Sequence, residues 1–254
     1  MIPIKTAKEI EKMRIAGQAT AEVLERTSAL IRPGMSTMEV DQAAAQFMLE
    51  AGCRSAFFGY RGFAGNICIS LNEEVVHGIP GPRKIQYGDI VKLDIGVIKG
   101  GWVGDSATSV PVGVVDAAVQ KLLQVTEKSL RVAIGFAVEG GRLGDIGAAV
   151  EETVAAHGFT VVRDFVGHGV GRKLHEEPQV PNFGKPRTGP RLKAGMTLAI
   201  EPMVNLGVCG VRILGDGWTV VTADGKPSSH FEHTVLITHG EPEILTWREK
   251  AQSK

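Results

Sequence analysis

Paired cysteines, net charge and long apolar runs are all missing from this chain of 254 residues. Its three cysteines, Cys53, Cys68 and Cys209, are odd in number, widely spaced and free of any Cys-x-x-Cys pair. That excludes a disulfide framework and a zinc ribbon, and suits a reducing compartment. The 28 basic residues balance 28 acidic ones, so no broad attraction to nucleic acid or to an anionic membrane is indicated. No stretch approaches the length of a membrane span. The opening MIPIKTAKEIEKM has no apolar core of signal-peptide kind. A cytoplasmic protein with no membrane and no specific nucleic-acid partner is expected. What the chain does have is 43% hydrophobic residues, enough to bury a sizeable core and to argue against disorder.

Val91 to Val110, VKLDIGVIKGGWVGDSATSV, is the stretch around which the rest is organised. Val91, Leu93, Ile95 and Val97 alternate with Lys92, Asp94, Gly96 and Ile98, the period of a strand with one apolar face. Gly100-Gly101 supplies the positive φ angles of a two-residue hairpin turn. With those glycines at the centre, Lys99 pairs with Trp102 and Gly96 with Asp105. Asp94 and Asp105 then share a sheet face as diagonal neighbours, their β-carbons roughly 7–8 Å apart. That gap suits two metal ions about 3.5–4 Å apart, with Gly96 expected to leave the space open. Read alone, the hairpin is better taken as a pair of solvated aspartates on an outer face, and it is the rest of the chain that changes the reading.

Two capping boxes, Thr6 to Glu9 and Ser36 to Glu39, open helices that run to about Ile31 and through Ala51. A short strand near Ser55-Ala56-Phe57-Phe58, a glycine-rich loop from Gly59 to Gly65, a strand at Ile67-Cys68-Ile69 and a turn at His77 to Pro80 precede the hairpin. The second half replays this order. Helices are expected at about Ala117 to Ala137 and Leu143 to Ala156, then a strand from Thr160 to Arg163. Gly195 to Glu201 matches Gly88 to Asp94: a glycine, five residues, then a carboxylate that closes an apolar strand. His175-Glu-Glu-Pro178 echoes His77-Gly-Ile-Pro80. The expectation is one α+β domain over 1–254, built as two pseudo-symmetric halves (about 1–113 and 114–254) whose strands meet in one curved sheet with helices behind it.

Glu201, in LAIEPMV, and Glu232, in FEHTVLI, lie in apolar runs where a lone charge is costly to bury without a partner or a cation. His168 lies in Val-Gly-His-Gly-Val-Gly, where the glycines are expected to let the backbone curl around one imidazole, a pattern that alone also fits a phosphate-type loop or a plain turn. Taken together the candidates are Asp94, Asp105, His168, Glu201 and Glu232, a set that the residues alone do not single out. Four carboxylates neutralise two divalent cations. Oxygen donors with one nitrogen suit manganese, iron or cobalt, with zinc allowed and magnesium less suited.

In that order these five residues resemble the dinuclear metallopeptidases of the pita-bread fold, and within them the bacterial type I methionine aminopeptidases. The resemblance extends over nearly the whole chain, through ICISLNEEVVHGIP, DIVKLDIG, GHGVGRKLHEEPQVPNF, LAIEPMVN, DGWTV and FEHTVLIT. It implies removal of the N-terminal methionine from nascent peptides when the second residue is small, by a monomer with two divalent ions. Contact with the ribosome is left open. It implies that His175 donates to the scissile carbonyl oxygen, that His77 sits beside the amide nitrogen, and that Glu201 doubles as ligand and proton shuttle. The methionine pocket by family position is Phe57, Tyr60, Phe63, Cys68, Leu174 and Trp218. Phe57 stands where cysteine is often found, Phe63 where tyrosine is common and Leu174 where phenylalanine is frequent; apolar volume is roughly kept, and the resemblance does not carry over pocket shape or inhibitor preference. His157, His230, His233 and His239 take a structural reading. Proline-specific peptidases and creatine-type hydrolases share the scaffold but usually carry a large extra N-terminal domain. A non-catalytic binding protein of the same fold could afford to lose ligands, and here all five are present.

Overall fold

Helix α1 (Ala7–Leu30) begins where the Thr6 N–H and hydroxyl both donate to Glu9 Oε2, each at 3.0 Å. Helix α2 (Thr37–Glu50) begins on a reciprocal box: the Ser36 N–H donates to Glu39 Oε2 (2.6 Å) and the Glu39 N–H to Ser36 Oγ (3.2 Å). The computed structural model from which these contacts are taken describes residues 1–247. Short strands β1 (Arg54–Ser55), β2 (Cys68–Leu71) and β3 (Glu74–Val76) lead into a hairpin of β4 (Ile90–Lys99) and β5 (Trp102–Pro111). After it come α3 (Ala117–Gly135), α4 (Leu143–Ala155), β6 (Thr160–Val161), β7 (Gly167–Gly169), β8 (Glu176–Val180) and β9 (Thr197–Ile200). The chain continues through β10 (Met203–Asn205), β11 (Val211–Ile213), β12 (Val220–Thr222), β13 (Ser228–His230), β14 (Glu232–Leu236) and β15 (Glu243–Ile244).

The hairpin has the expected register, with Lys99 opposite Trp102, Gly96 opposite Asp105 and Asp94 opposite Ala107. Gly100 and Gly101 turn it at φ 59° and 79°. A nine-stranded antiparallel sheet follows the order β1-β4-β5-β14-β9-β7-β8, with β2 also on β4 and β15 also on β14. Strand β4 is long enough to hold two short neighbours on one edge, β2 along Val91–Asp94 and β1 at Val97–Ile98. Two three-stranded sheets, β13-β10-β6 and β11-β12-β3, flank it.

Alternation along the strands decides where the core sits. Val91, Leu93, Ile95 and Val97 of β4 pack with Val23 of α1 and Val40, Ala44 and Met48 of α2. Leu198 and Ile200 of β9 and Val235 of β14 pack with Leu122, Val125 and Leu130 of α3 and Ile146 and Val150 of α4. Each such side chain contributes about 1.5–3 kcal/mol by leaving water. Helix α1 comes close to β5 only because Gly104 is bare: a Cβ there would lie 2.4 Å from Thr20 Oγ1 and 2.8 Å from the Ala16 carbonyl oxygen. Among the described residues no helix is long and apolar enough to cross a membrane.

Three local expectations change. The strand expected near 55–58 stops at Ser55, whose hydroxyl accepts the N–H groups of Phe57 and Phe58, each at 2.9 Å, and so turns the chain. The strand expected from Thr160 to Arg163 is the two-residue β6. The glycines around His168 do not curl a loop about its ring. They let β7 run as a strand between two backbones, since a Cβ on Gly167 would meet the Ala199 carbonyl oxygen at 2.3 Å and one on Gly169 the Glu177 carbonyl oxygen at 2.2 Å.

Candidate metal centre

Five neighbouring strands each deliver one side chain to the same place. Asp94 comes from β4, Asp105 from β5, Glu232 from the start of β14, Glu201 from the residue after β9, and His168 from β7. Ligand atoms of Asp105, His168 and Glu232 all lie within 4.8 Å of one another. His168 Nε2 is 3.6 Å from Asp105 Oδ2 and 3.5 Å from Glu201 Oε1. The five line one cavity of about 220 Å³ together with His77, His175, Phe57, Tyr60, Phe63, Cys68, Leu174 and Trp218. Arg61, which sequence reasoning did not single out, lines it too.

The donor chemistry fits divalent cations. His168 Nδ1 lies 2.9 Å from the Gly169 carbonyl oxygen, which can only accept, so the ring's proton is on Nδ1 and Nε2 presents a lone pair to two carboxylates. Buried Asp105 Oδ1 and Glu232 Oε1 have no hydrogen-bond partner among the described residues. Lone pairs facing lone pairs in a dry pocket call for a cation or for protons. Protons are what the pocket takes up without metal. Burial pushes Asp94 up to about 7. Burial, reinforced by neighbouring carboxylates, raises Asp105, Glu201 and Glu232 well above the usual carboxylate range. Burial lowers His168 to about 3, which keeps the imidazole neutral and able to ligate.

The remaining residues divide into a polar mouth and an apolar wall. His175, exposed at the mouth, has its Nδ1 2.8 Å from the Tyr60 hydroxyl and its ring centroid 4.2 Å from that of His168. Desolvation and the Arg61 guanidinium lower its pKa. Its loop is braced by Glu176, which accepts Lys5 Nζ and the Arg172 N–H, both at 2.8 Å. His77, at φ 59°, faces the rings of Phe165 and Trp218, and burial lowers its pKa to about 4. Phe63 meets Trp218 edge to face at 5.1 Å. The space beside Gly96 is not left open, because a Cβ there would lie 2.5 Å from Phe57 Cε1. The glycine makes room for the Phe57 ring, where a smaller side chain would have left a gap.

His230, given a structural reading, lies beside the site. It is buried at 1% exposure, with Nε2 3.6 Å from Glu201 Oε2. The available signal was its position two residues before Glu232. His233 packs as expected, against Thr246 (2.9 Å) and Trp247. His157 bonds the Thr153 carbonyl oxygen and His239 pairs with Glu139, both away from the cavity.

Residues 11–239 match the model of a single family, described as metallopeptidase family M24. The chain belongs to metallopeptidase family M24. It is 51% identical to methionine aminopeptidase 1 of Bacillus subtilis over 246 residues, 97% of this chain and 99% of the relative. Its structure superposes on that of methionine aminopeptidase from Thermotoga maritima with a TM-score of 0.96 at 47% identity, covering 98% of this chain and 100% of the other. The prolidase of Pyrococcus furiosus shares the fold alone, with a TM-score of 0.79 at 22% identity over 97% of this chain and 66% of that one. The architecture is thus the α+β pita-bread fold. As an M24 metallopeptidase the chain uses divalent metal.

Proposed function

We propose that the chain is an aminopeptidase that removes the N-terminal methionine of nascent polypeptides whose second residue is small, using two divalent ions held by Asp94, Asp105, His168, Glu201 and Glu232. The observation that carries this reading is the convergence of those five donors, one per neighbouring strand, on a cavity whose other wall is aromatic and apolar. A bound metal pair lowers the pKa of water and stabilises both ends of a hydrolytic transition state. The oxygen-rich donor set with one imidazole favours manganese, iron, cobalt or zinc.

The chain's own residues do the rest. The substrate's methionine side chain lies against Phe57, Tyr60, Phe63, Cys68, Leu174 and Trp218. His77 holds the peptide at its amide nitrogen. The oxyanion role requires the His175 tautomer with its proton on Nε2, in which the Tyr60 hydroxyl, 2.8 Å from Nδ1, is the donor of that pair. Glu201 takes a proton from the attacking water and returns it to the leaving amine. We further propose that the protein works in the cytoplasm as a monomer, on peptides as they leave the ribosome, and that it is one domain with an internal repeat (about 1–113 and 114–254). The continuous sheet, in which β5 of the first half pairs with β14 of the second, supports that last reading.

The test is release of free methionine from Met-Ala-Ser after chelation and after manganese or cobalt is restored. Release should follow the metal, and a Met-Leu-Ser peptide should be spared. No release from Met-Ala-Ser with manganese, cobalt, iron or zinc each restored in turn would overturn the proposal.

A further inference from the structure

His230 has no part in the roles just described, yet it lies as close to Glu201 as His168 does. The two imidazoles flank the carboxylate, one oxygen each: His168 Nε2 is 3.5 Å from Oε1 and His230 Nε2 is 3.6 Å from Oε2. They differ in where the proton sits. His168 Nε2 is a lone pair, because its Nδ1 donates to the Gly169 carbonyl oxygen. His230 Nε2 is buried and has no hydrogen-bond partner among the described residues, with Glu201 Oε2 beside it. The backbone of His230 is clamped on both sides. The Ser109 hydroxyl donates to its carbonyl oxygen (2.8 Å) and accepts its N–H (3.0 Å), while β13 holds it opposite Met203. The movable partner is therefore the Glu201 side chain, which needs only a small rotation to close the gap.

We infer that His230 donates an Nε2–H to Glu201 Oε2 and thereby holds Oε1 toward the metal pocket, as a positioning residue for that ligand. The inference rests on the reading of Glu201 as a ligand. A buried donor left unpaired is unfavourable, and a carboxylate oxygen is the strongest acceptor within reach. Hydrogen bonds of this kind are commonly long at first and tighten once the reacting groups are bound. Groups that orient a metal ligand typically cost about 10–100-fold in metal affinity or activity when they are removed.

The experiment compares the parent with His230→Met, which keeps the bulk and loses the donor, and His230→Gln, which keeps a donor. Manganese binding to chelated protein is followed by calorimetry, and Met-Ala-Ser cleavage by kcat and KM. His230→Met should lose roughly 10–100-fold in manganese affinity or kcat with KM little changed, and His230→Gln should recover most of it. Nitrogen-15 spectra of the metal-free parent should show His230 protonated at Nε2, and that measurement decides the matter if a variant does not fold. An unprotonated Nε2, a methionine variant equal to the parent, or a glutamine variant no better than methionine would each overturn the inference while leaving the site reading intact. A parent that releases no methionine with metal overturns both.

Discussion

His175 and Glu232 line the same cavity but answer to different chemistry, and replacing them separates the two. Glu232 is buried with one oxygen unpartnered among the described residues, so its proposed work is to hold a cation. His175 is exposed and hydrogen-bonded to Tyr60, so its proposed work is on the substrate. Glu232→Ala should lose metal by elemental analysis and activity with it. His175→Ala should keep its metal and lose about 2.7–4 kcal/mol of transition-state stabilisation, roughly 10²–10³ in kcat. Equal single-turnover rates for His175→Ala and the parent would remove the oxyanion role. At this scale Glu201 and Glu232 drew notice because costly groups betray themselves: a carboxylate in LAIEPMV or FEHTVLI needs a partner wherever it goes, whereas Asp94, Asp105 and His168 joined them through the family resemblance. His230 and Arg61 drew no notice. A histidine inside a short polar stretch and an arginine in a glycine-rich loop carry no such cost in the sequence, and only the folded backbone shows what each one faces.

The elements that carry the site depend on close approaches that a single methyl group would block. At Gly104 a Cβ would collide with Thr20 Oγ1 and with the Ala16 carbonyl oxygen, which belongs to helix backbone and cannot rotate away. Gly104→Ala should therefore push α1 off β5. The cost is expected at or above the upper end of the ~1–3 kcal/mol typical of overpacking, read as a lower urea midpoint with an unchanged slope. Metal affinity should fall too, because Asp105 is the next residue. Gly135, at the end of α3, is the contrasting case, since a Cβ there would meet nothing within 4 Å. Gly135→Ala should be neutral or stabilising by about 0.4–1 kcal/mol. A Gly104→Ala protein as stable as Gly135→Ala would refute the close-packing account. The hairpin and the capped helices were legible because turn glycines and capping boxes are local signals. The ends of β1 and the strand character of β7 were not, since the Ser55 hydroxyl and the flanking backbones of β8 and β9 decide them.

Across the whole molecule, metal and protons compete for the same pocket, and the signs can be worked out. Without metal the folded carboxylates hold protons that the unfolded chain releases near its ordinary values of 3.8 and 4.5, Asp94 being raised to about 7 and the other three well above their ordinary values. Their contribution to the stability of the metal-free fold is therefore present in acid and lost as pH rises from the ordinary carboxylate range to the raised values, which for Asp94 means by about 7. His77, His168 and His230, neutral in the fold down to about 4, 3 and 3, act oppositely and cost stability as pH falls below 6.5. Metal needs the deprotonated ligands. A hundredfold excess over Kd should add about 2.7 kcal/mol, so chelation should lower Tm at pH 7.5, and the gap should narrow toward pH 5. An unchanged Tm on chelation at pH 7.5, with loading confirmed, would mean that the five donors share no ion. The pairing of β5 with β14, only Ser106 with His233 and Ala107 with Glu232, also has a consequence during synthesis. At about 5–20 residues per second, β5 waits on the order of ten seconds with a bare edge before β14 leaves the ribosome. An exposed edge invites aggregation, and this one is built of Asp105, Ser106, Ala107, Thr108 and Ser109 rather than large apolar residues. The hydroxyls of Ser106 and Ser109 later grip the carbonyl oxygens of Glu232 and His230 at 2.7 and 2.8 Å, so the residues that keep the nascent edge wettable are the ones that close the finished sheet.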